Sequence, residues 1–155
     1  MPIVINLQFM RPDGRIIQFP EFGAKPVIPA TVRASSAENE SVGISENKKD
    51  VYALIDTGAD DFYIDEALVK ELSIPKSASG KGLTVATASS KEYKPFHHAL
   101  VSFTKDKTEF GFKFLPVKTS ELGNHYQIIF GMSLVRLGCL KIDAINKIFT
   151  LTFTD

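Results

Sequence analysis

The stretch Ala53-Leu54-Ile55-Asp56-Thr57-Gly58-Ala59-Asp60-Asp61 decides the fold of this chain. Its first three residues are apolar and predict a buried strand, which places Asp56 at the rim of a core. A buried charge is unfavourable without hydrogen-bond donors or a partner. The turn that follows can supply donors through its backbone N–H groups and the Thr57 hydroxyl. On this stretch alone two interpretations stay open: an Asx-turn that closes a strand, and a carboxylate held for chemistry.

The composition indicates one ordinary globular domain. The chain has 155 residues, 44% of them hydrophobic, with 12 Phe and no Trp, which is enough apolar material for a core. Its 18 Lys and Arg balance 18 Asp and Glu, so the formal net charge is zero. Nucleic-acid-binding domains and membrane-surface proteins normally carry a basic patch. We therefore expect neither a nucleic acid nor a membrane as a partner.

Cysteine usage and the N-terminus give an expectation of location. Cys139 is the single cysteine, which excludes an internal disulfide framework and a zinc site built on cysteines. Residues 1–10 lack a basic segment followed by a long apolar one, and no apolar run approaches the length of a membrane span. We therefore expect a reducing, cytoplasmic setting, with Cys139 as a buried thiol among apolar neighbours.

Alternation of apolar and polar residues predicts short strands along much of the chain. Residues 1–22 predict a terminal strand pair around the turn Arg11-Pro12-Asp13-Gly14. Pro26–Ala34 predicts a strand whose prolines are typical of a sheet edge. Residues 35–50 are polar and have no apolar period, which indicates a surface loop.

Two short helices are predicted between the strands. Asp65 is expected to be the N-cap of a helix over Glu66–Leu72. Residues 133–137 predict one or two further helical turns, which Gly138 would end in the left-handed C′ position. The phenylalanines that alternate over residues 110–114 share one face of a strand, which favours a place in the core over a role in stacking nucleic-acid bases.

A second apolar strand ends in the same way as the first. Ile128-Ile129-Phe130 leads into Gly131 and then into a short helical segment. An apolar strand with Asp-Thr-Gly-Ala, followed later by a double-aliphatic strand, a glycine and a short helix, resembles the retropepsin-like aspartic proteases. The segment Leu134–Cys139 is also similar to the closing helix of the retroviral enzymes. The resemblance covers roughly residues 26–153.

The resemblance implies a fold class. It implies a mostly-β single domain over residues 1–155: a closed retropepsin-like (acid protease) β-barrel with a flap hairpin and two short helices, acting as a homodimer. Residues 1–25 would form an N-terminal extension that supplies a dimer strand, residues 35–50 a surface loop, and residues 83–96 the flap.

The resemblance also implies roles for single residues. Asp56 would be the catalytic aspartate, Thr57 would bond to its symmetry mate across the dimer, and Gly58 would offer its backbone to the carboxylates and the substrate. Gly131 would let the second strand pass close beneath the active-site loop. The implied substrate-binding positions lie in that loop, at the flap tip and on the second strand: Ala59, Asp60, Asp61, Thr87, Ala88, Ser89, Ser90 and Gly131.

Two positions depart from the retroviral pattern. Retroviral enzymes carry an Arg directly after the glycine, where it pairs with an aspartate of the active-site region. Here Met132 occupies that place, so Asp60 must find another partner or face solvent. The flap tip over residues 86–90 contains no glycine and is therefore stiffer than a glycine-rich tip.

The chemistry implied by the family needs two carboxylates that share one proton. The chain contains no second Asp-Thr-Gly or Asp-Ser-Gly, so one chain supplies half a site. A two-fold homodimer would bring Asp56 against its copy. We therefore predict an aspartic endopeptidase that acts on peptide or protein substrates without a cofactor. The alternative is a catalytically weak or inactive dimeric domain of the same fold that binds peptides or acts as a scaffold.

Other constellations for chemistry are weaker. His97 and His98 point to opposite faces of a strand and, with His125, are all the histidines present, so no metal site is predicted. A Ser–His–Asp triad would need a nucleophile elbow, but Gly131-Met132-Ser133 is not followed by a glycine two residues later. An aspartyl-phosphate nucleophile at Asp56 would need an alternating strand–helix pattern, which the chain lacks.

Overall fold

The computed structural model describes residues 2–35, 47–77, 80–86, 88–103 and 108–154, and most of its regular structure is β-strand. In chain order the elements are β1 (Pro2–Asn6), β2 (Gln8–Met10), β3 (Ile16–Ile17), β4 (Lys25–Ala34), β5 (Lys48–Ile55), β6 (Phe62–Asp65), α1 (Glu66–Glu71), β7 (Gly82–Ala86), β8 (Lys91–Pro95), β9 (His97–Ser102), β10 (Phe110–Val117), β11 (Ile128–Phe130), α2 (Met132–Val135), β12 (Gly138–Asp143) and β13 (Ile148–Thr154).

Six strands close into a barrel. Their order is β4-β5-β11-β6-β10-β9, and β9 pairs back onto β4. Strand β11 lies between β5 and β6, parallel to the former and antiparallel to the latter. The ends of β5 and β11 therefore lie side by side, which brings the two predicted motifs together. The closed β-barrel and the two short helices predicted from the sequence are confirmed for the described residues.

Two smaller sheets accompany the barrel. β1, β13 and β12 form a three-stranded antiparallel sheet in which β13 is central, so β1 and β12 are its edges. β7 and β8 pair only with each other and form a separate hairpin. The predicted N-terminal strand pair is present as β2 and β3, which flank the turn at residues 11–15.

Aromatic rings fill much of the core. The rings of seven phenylalanines form a continuous cluster with centroid separations of 5.1 to 6.5 Å. They are Phe62, Phe103, Phe110, Phe112, Phe114, Phe130 and Phe153. The predicted core role of the alternating phenylalanines of β10 is thus confirmed.

The helices are short and lie at the ends of barrel strands. Asp65 occupies the predicted N-cap position of α1, but its carboxylate makes no capping bond. The carboxylate instead accepts a hydrogen bond from the Ser120 backbone N–H at 3.3 Å, which ties the start of α1 to the loop after β10. No helix in the described part of the chain has the length and apolar character needed to span a bilayer.

Strands β4 and β5 differ from the prediction. β5 begins at Lys48, so the predicted surface loop over residues 35–50 overlaps the strand at its C-terminal end, and residues 36–46 lie outside the described residues. The first three residues of β5 are exposed, which explains why they have no apolar period. β4 is not a sheet edge: β5 pairs along one side of it, while β2 and β9 share the other. Pro29 falls in the gap between those two partners, where no N–H is needed.

Two expectations near the C-terminus are wrong. Gly138 does not cap α2 in a left-handed conformation but begins β12, where an added Cβ would lie 2.0 Å from the Thr152 carbonyl oxygen. The glycine is therefore needed for close strand approach. Cys139 is exposed rather than buried, because β12 is an edge strand and Cys139 lies on the face opposite to Leu140.

Candidate active site

Asp56 lies directly after β5, at the rim of the barrel core. The last three residues of β5 are buried, with 0 to 7% of their surface exposed, and Asp56 is partly exposed. Its backbone N–H donates to the Phe130 carbonyl at 3.0 Å, which continues the pairing with β11. The strand ends at Ile55, so the Asp56 carboxylate lies outside the core and faces the following turn.

The turn supplies a donor to the carboxylate, as the sequence predicts. The Gly58 N–H donates to Asp56 Oδ1 at 3.0 Å, and the Ala59 N–H donates to the Asp56 carbonyl at 3.1 Å. A backbone hydrogen bond of this kind favours one orientation of the carboxylate. The turn is therefore an Asx-turn, and the two interpretations left open by the sequence describe the same geometry.

The loop is held on the start of α2. Three consecutive carbonyls of residues 59–61 each accept a backbone N–H from residues 131–133, donors that a short helix would otherwise leave unpaired. The pairs are Met132 N–H to Ala59 O at 2.8 Å, Ser133 N–H to Asp60 O at 3.2 Å, and Gly131 N–H to Asp61 O at 3.0 Å. The Ser133 hydroxyl also donates to the Asp60 carbonyl.

Gly131 allows the strand and the loop to approach closely. A Cβ at this position would lie 2.4 Å from the Ala59 carbonyl oxygen and 2.7 Å from that of Asp61. Both distances are too short for a side chain, so only glycine fits between β11 and the loop. A direct contact of Gly131 with substrate stays a prediction.

The predicted site residues of the loop differ in exposure. Thr57, Gly58 and Asp60 are exposed, while Ala59 and Asp61 are partly buried. Neither Asp60 nor Asp61 makes an ion pair with a described residue. The structure therefore gathers these residues into one loop that carries three carboxylates.

Tyr63 is a residue of this region that the sequence analysis missed. Burial raises the pKa of its phenol, and the negative charges of Asp61 and Asp60 raise it further, with a smaller effect from Asp56. Strand alternation could have found it: Phe62 and Ile64 pack in the barrel core, so Tyr63 between them must face out. Its backbone pairs with that of Ile129.

Ser133 was also missed as a contact of the loop, since the sequence analysis weighed it only as a triad nucleophile. A small hydroxyl residue at the first turn of a predicted helix is a signal for a local backbone hydrogen bond. Here the bond is made to a distant loop instead of to the helix itself.

The predicted flap tip lies on a hairpin of its own. Ala88, Ser89 and Ser90 form the exposed turn between β7 and β8, and Thr87 lies outside the described residues. The hairpin runs from Gly82 to Pro95, within one residue of the predicted flap at each end. The role of its tip in substrate binding stays a prediction.

The described residues contain a cavity but no cluster of metal-binding side chains. No three His, Cys, Asp or Glu side chains in those residues lie close enough together to hold a metal ion. A cavity of about 490 Å³ lies beside the middle of β5, at residues 50–52. It is lined by Pro29, Ala30, Thr31, Asp50, Val51, Tyr52, Ser102 and Phe103, and contains none of the predicted site residues.

Comparison with known proteins agrees with this geometry. A family model described as aspartyl protease matches residues 41–134. The crystal structure of a retropepsin-like aspartic protease from Rickettsia conorii superposes with a TM-score of 0.50 and 20% sequence identity, over 99% of this chain and 91% of that chain. At this identity the likeness establishes the fold, which is retropepsin-like. No match was found among curated protein sequences.

Proposed function

The chain belongs to the aspartyl protease family, and on that premise we propose that it is an aspartic endopeptidase that hydrolyses peptide bonds at a homodimer interface. Asp56 and its copy in a second chain would form the catalytic pair. The substrate would be a peptide or a protein, and no cofactor is required for the chemistry.

One observation carries this proposal: the Asp56 carboxylate lies at the end of β5, in a loop that backbone hydrogen bonds fix to the start of α2. The Gly58 N–H orients the carboxylate, and the amides of residues 131–133 hold the loop. A reacting group must be kept in place to be effective. An ordinary surface Asx-turn would not need such a clamp.

The proposed reaction follows from the pairing of two carboxylates. In aspartic proteases generally, two aspartates about 3 Å apart share one proton because like charges so close cannot both ionise. The ionised member accepts a proton from a water molecule as the oxygen of that water attacks the scissile carbonyl carbon, and the protonated member donates its proton to the carbonyl oxygen. The C–N bond of the resulting diol then breaks: the nitrogen takes the proton held by the first member, and the second member accepts a proton from a diol hydroxyl, which restores the pair with its one shared proton.

A second copy of the chain is part of the proposal because the sequence holds a single Asp-Thr-Gly. Thr57 and Gly58 are exposed beside Asp56, and Thr57 makes no side-chain hydrogen bond to another described residue. Because Thr57 and Gly58 are exposed next to a single catalytic carboxylate, they support a two-fold contact between two chains at this loop.

The test is Asp56→Asn, which keeps the side-chain shape and removes its acid–base function. We expect peptide cleavage to fall by about a thousandfold or more, with an unchanged circular dichroism spectrum. The matched control is Asp50→Asn at the opposite end of the same strand, where the side chain accepts a bond from the Thr31 hydroxyl; it should retain full activity.

Two outcomes would redirect the proposal. Cleavage that persists in Asp56→Asn would show that another group performs the chemistry. A wild-type protein that binds a statine-type inhibitor in a two-to-one complex, yet cleaves neither unfolded casein nor a peptide library, would instead be the peptide-binding scaffold of the same fold.

A further inference from the structure

The active-site loop and α2 meet through hydrogen bonds that involve almost no side chains. Three backbone hydrogen bonds between residues 59–61 and residues 131–133 fix the loop to the start of α2. Gly131 has no side chain, and the thioether of Met132 is a weak acceptor that donates no hydrogen bond. Within the described residues, the Ser133 hydroxyl is the one side-chain group of α2 that bonds to the loop.

Ser133 acts on a single carbonyl, that of Asp60. The carbonyl accepts the Ser133 backbone N–H at 3.2 Å and the Ser133 hydroxyl, so both of its acceptor positions are filled. The peptide between Asp60 and Asp61 therefore cannot rotate without breaking two bonds. With the backbone hydrogen bond alone, the peptide would be held by one bond and could rotate about it.

A short chain of contacts links this peptide to the reacting carboxylate. Ala59 precedes Asp60 in the chain, and its N–H closes the turn by donating to the Asp56 carbonyl at 3.1 Å. Within that turn the Gly58 N–H donates to Asp56 Oδ1 at 3.0 Å. Movement of the loop at Asp60 would thus change the position of the donor that orients the Asp56 carboxylate.

We propose that Ser133 is a positioning residue of the active site, whose hydroxyl fixes the Asp60–Asp61 peptide and, through the turn over residues 56–59, the direction of the Asp56 carboxylate. The inference rests on the proposed function, in which Asp56 is the catalytic residue.

The kinetic test compares Ser133→Ala with Ser133→Thr. Ser133→Ala should lower kcat per active site about tenfold and change KM less than twofold, because small misplacement of a reacting group slows the chemical step. Ser133→Thr keeps the hydroxyl and should restore most of kcat. Active sites are counted by titration with a tight statine-type inhibitor, so that loss of folded or dimeric protein is not mistaken for slower chemistry.

The matched control is Ser120→Ala, an exposed serine in the turn after β10, which should leave both constants unchanged. An equal kcat per titrated site in wild type and Ser133→Ala would overturn the positioning role while leaving the proposed function intact. So would a loss in Ser133→Ala that Ser133→Thr does not restore, since the hydroxyl would then not be the group that matters.

A second measurement does not depend on turnover. Hydrogen exchange of the Gly58 and Ala59 amides, followed by NMR, reports how firmly the turn is closed. In Ser133→Ala both amides should exchange about tenfold faster, while amides of β10 keep their rates. If the wild-type protein proves inactive, the proposed function fails and this measurement still decides the role of Ser133: unchanged exchange at both amides would overturn it.

Discussion

At the scale of single residues, the loop after β5 concentrates negative charge. Asp56, Asp60 and Asp61 lie within six positions, and none of them forms an ion pair with a described residue. The effect is visible on Tyr63, whose pKa is raised by burial and then by Asp61 and Asp60. Tyr63 is therefore a reporter of the electrostatics of the loop.

This residue leads to a prediction about alkaline stability. The pKa of Tyr63 lies above its ordinary value of 10.0, so above that pH the unfolded chain releases a proton that the folded chain keeps. Stability contributed by the neutral phenol is present below pH 10 and declines as pH rises through the folded pKa. In Tyr63→Phe the free energy of unfolding should fall less steeply above pH 10.

The measurement is urea unfolding at several pH values from 8 to 11, together with absorbance titration of tyrosinate near 295 nm. Added salt screens the carboxylates but not burial, so it should reduce only part of the difference between wild type and Tyr63→Phe. Identical slopes in the two proteins would show that the pKa of Tyr63 is not raised in the folded chain, and a difference that salt leaves unchanged would show that the loop carboxylates do not contribute to it.

At the scale of elements, alternation identified the strands wherever one face is buried. β4 and β10 were predicted in this way, and buried apolar residues of both strands lie in the main core cluster; β11 was instead predicted from its continuous run of three apolar residues. The start of β5 was missed because its first three residues are exposed on both faces, so pairing alone makes them a strand. A prediction from local sequence pattern does not include pairing with a strand that is distant in the chain.

Glycines show the same limit within the candidate site. The close approach at Gly131 was expected from the resemblance and is present. Gly138 was assigned to a helix end on local grounds, but a tertiary contact with Thr152 sets its role. The donor to Asp56 was predictable from the turn, whereas the Ser133 bond joins residues 73 positions apart and required the fold.

Among the described residues, the three-stranded sheet has two edge strands that pair on one side only, which leads to a prediction about the proposed dimer. β12 follows α2, and the start of α2 is bonded to the active-site loop, so in the proposed dimer we expect the contact to include β12. β12 also exposes Ile142 at 54%, while the other edge strand, β1, exposes Val4 at 56%. The two side chains are matched probes of the two edges.

Ile142→Lys should raise the dimer dissociation constant roughly tenfold or more, because burial of an isoleucine contributes about 1.5–3 kcal/mol and the symmetric interface contains it twice. Val4→Lys should have little effect. Sedimentation over a dilution series measures both. The reverse result would assign the interface to β1, the N-terminal strand expected from the sequence to serve the dimer.

At the scale of the whole molecule, one chain forms the closed barrel and the loop that carries Asp56, whereas the proposed chemistry needs two chains. The aromatic core, the barrel closure and the clamp between the loop and α2 are all intramolecular. In the proposed function the second carboxylate comes from another copy of the chain. We therefore expect folding and activity to separate, with activity, but not the fold of one chain, depending on association.

Thr57→Ala tests this separation. Thr57 is exposed beside Asp56, and in the proposed dimer its hydroxyl bonds across the two-fold axis. A lost hydrogen bond costs about 0.5–1.5 kcal/mol, and a partner left buried and unpaired about 1–3 kcal/mol. The dimer dissociation constant should therefore rise roughly tenfold or more, at about 1.4 kcal/mol per decade, while thermal unfolding of the dilute chain is unchanged.

Specific activity of Thr57→Ala should fall on dilution and recover in part when the variant is concentrated. Sedimentation and activity measured over the same concentrations decide the matter: equal association constants in the two proteins would remove Thr57 from the interface and deprive the dimeric site of its main support.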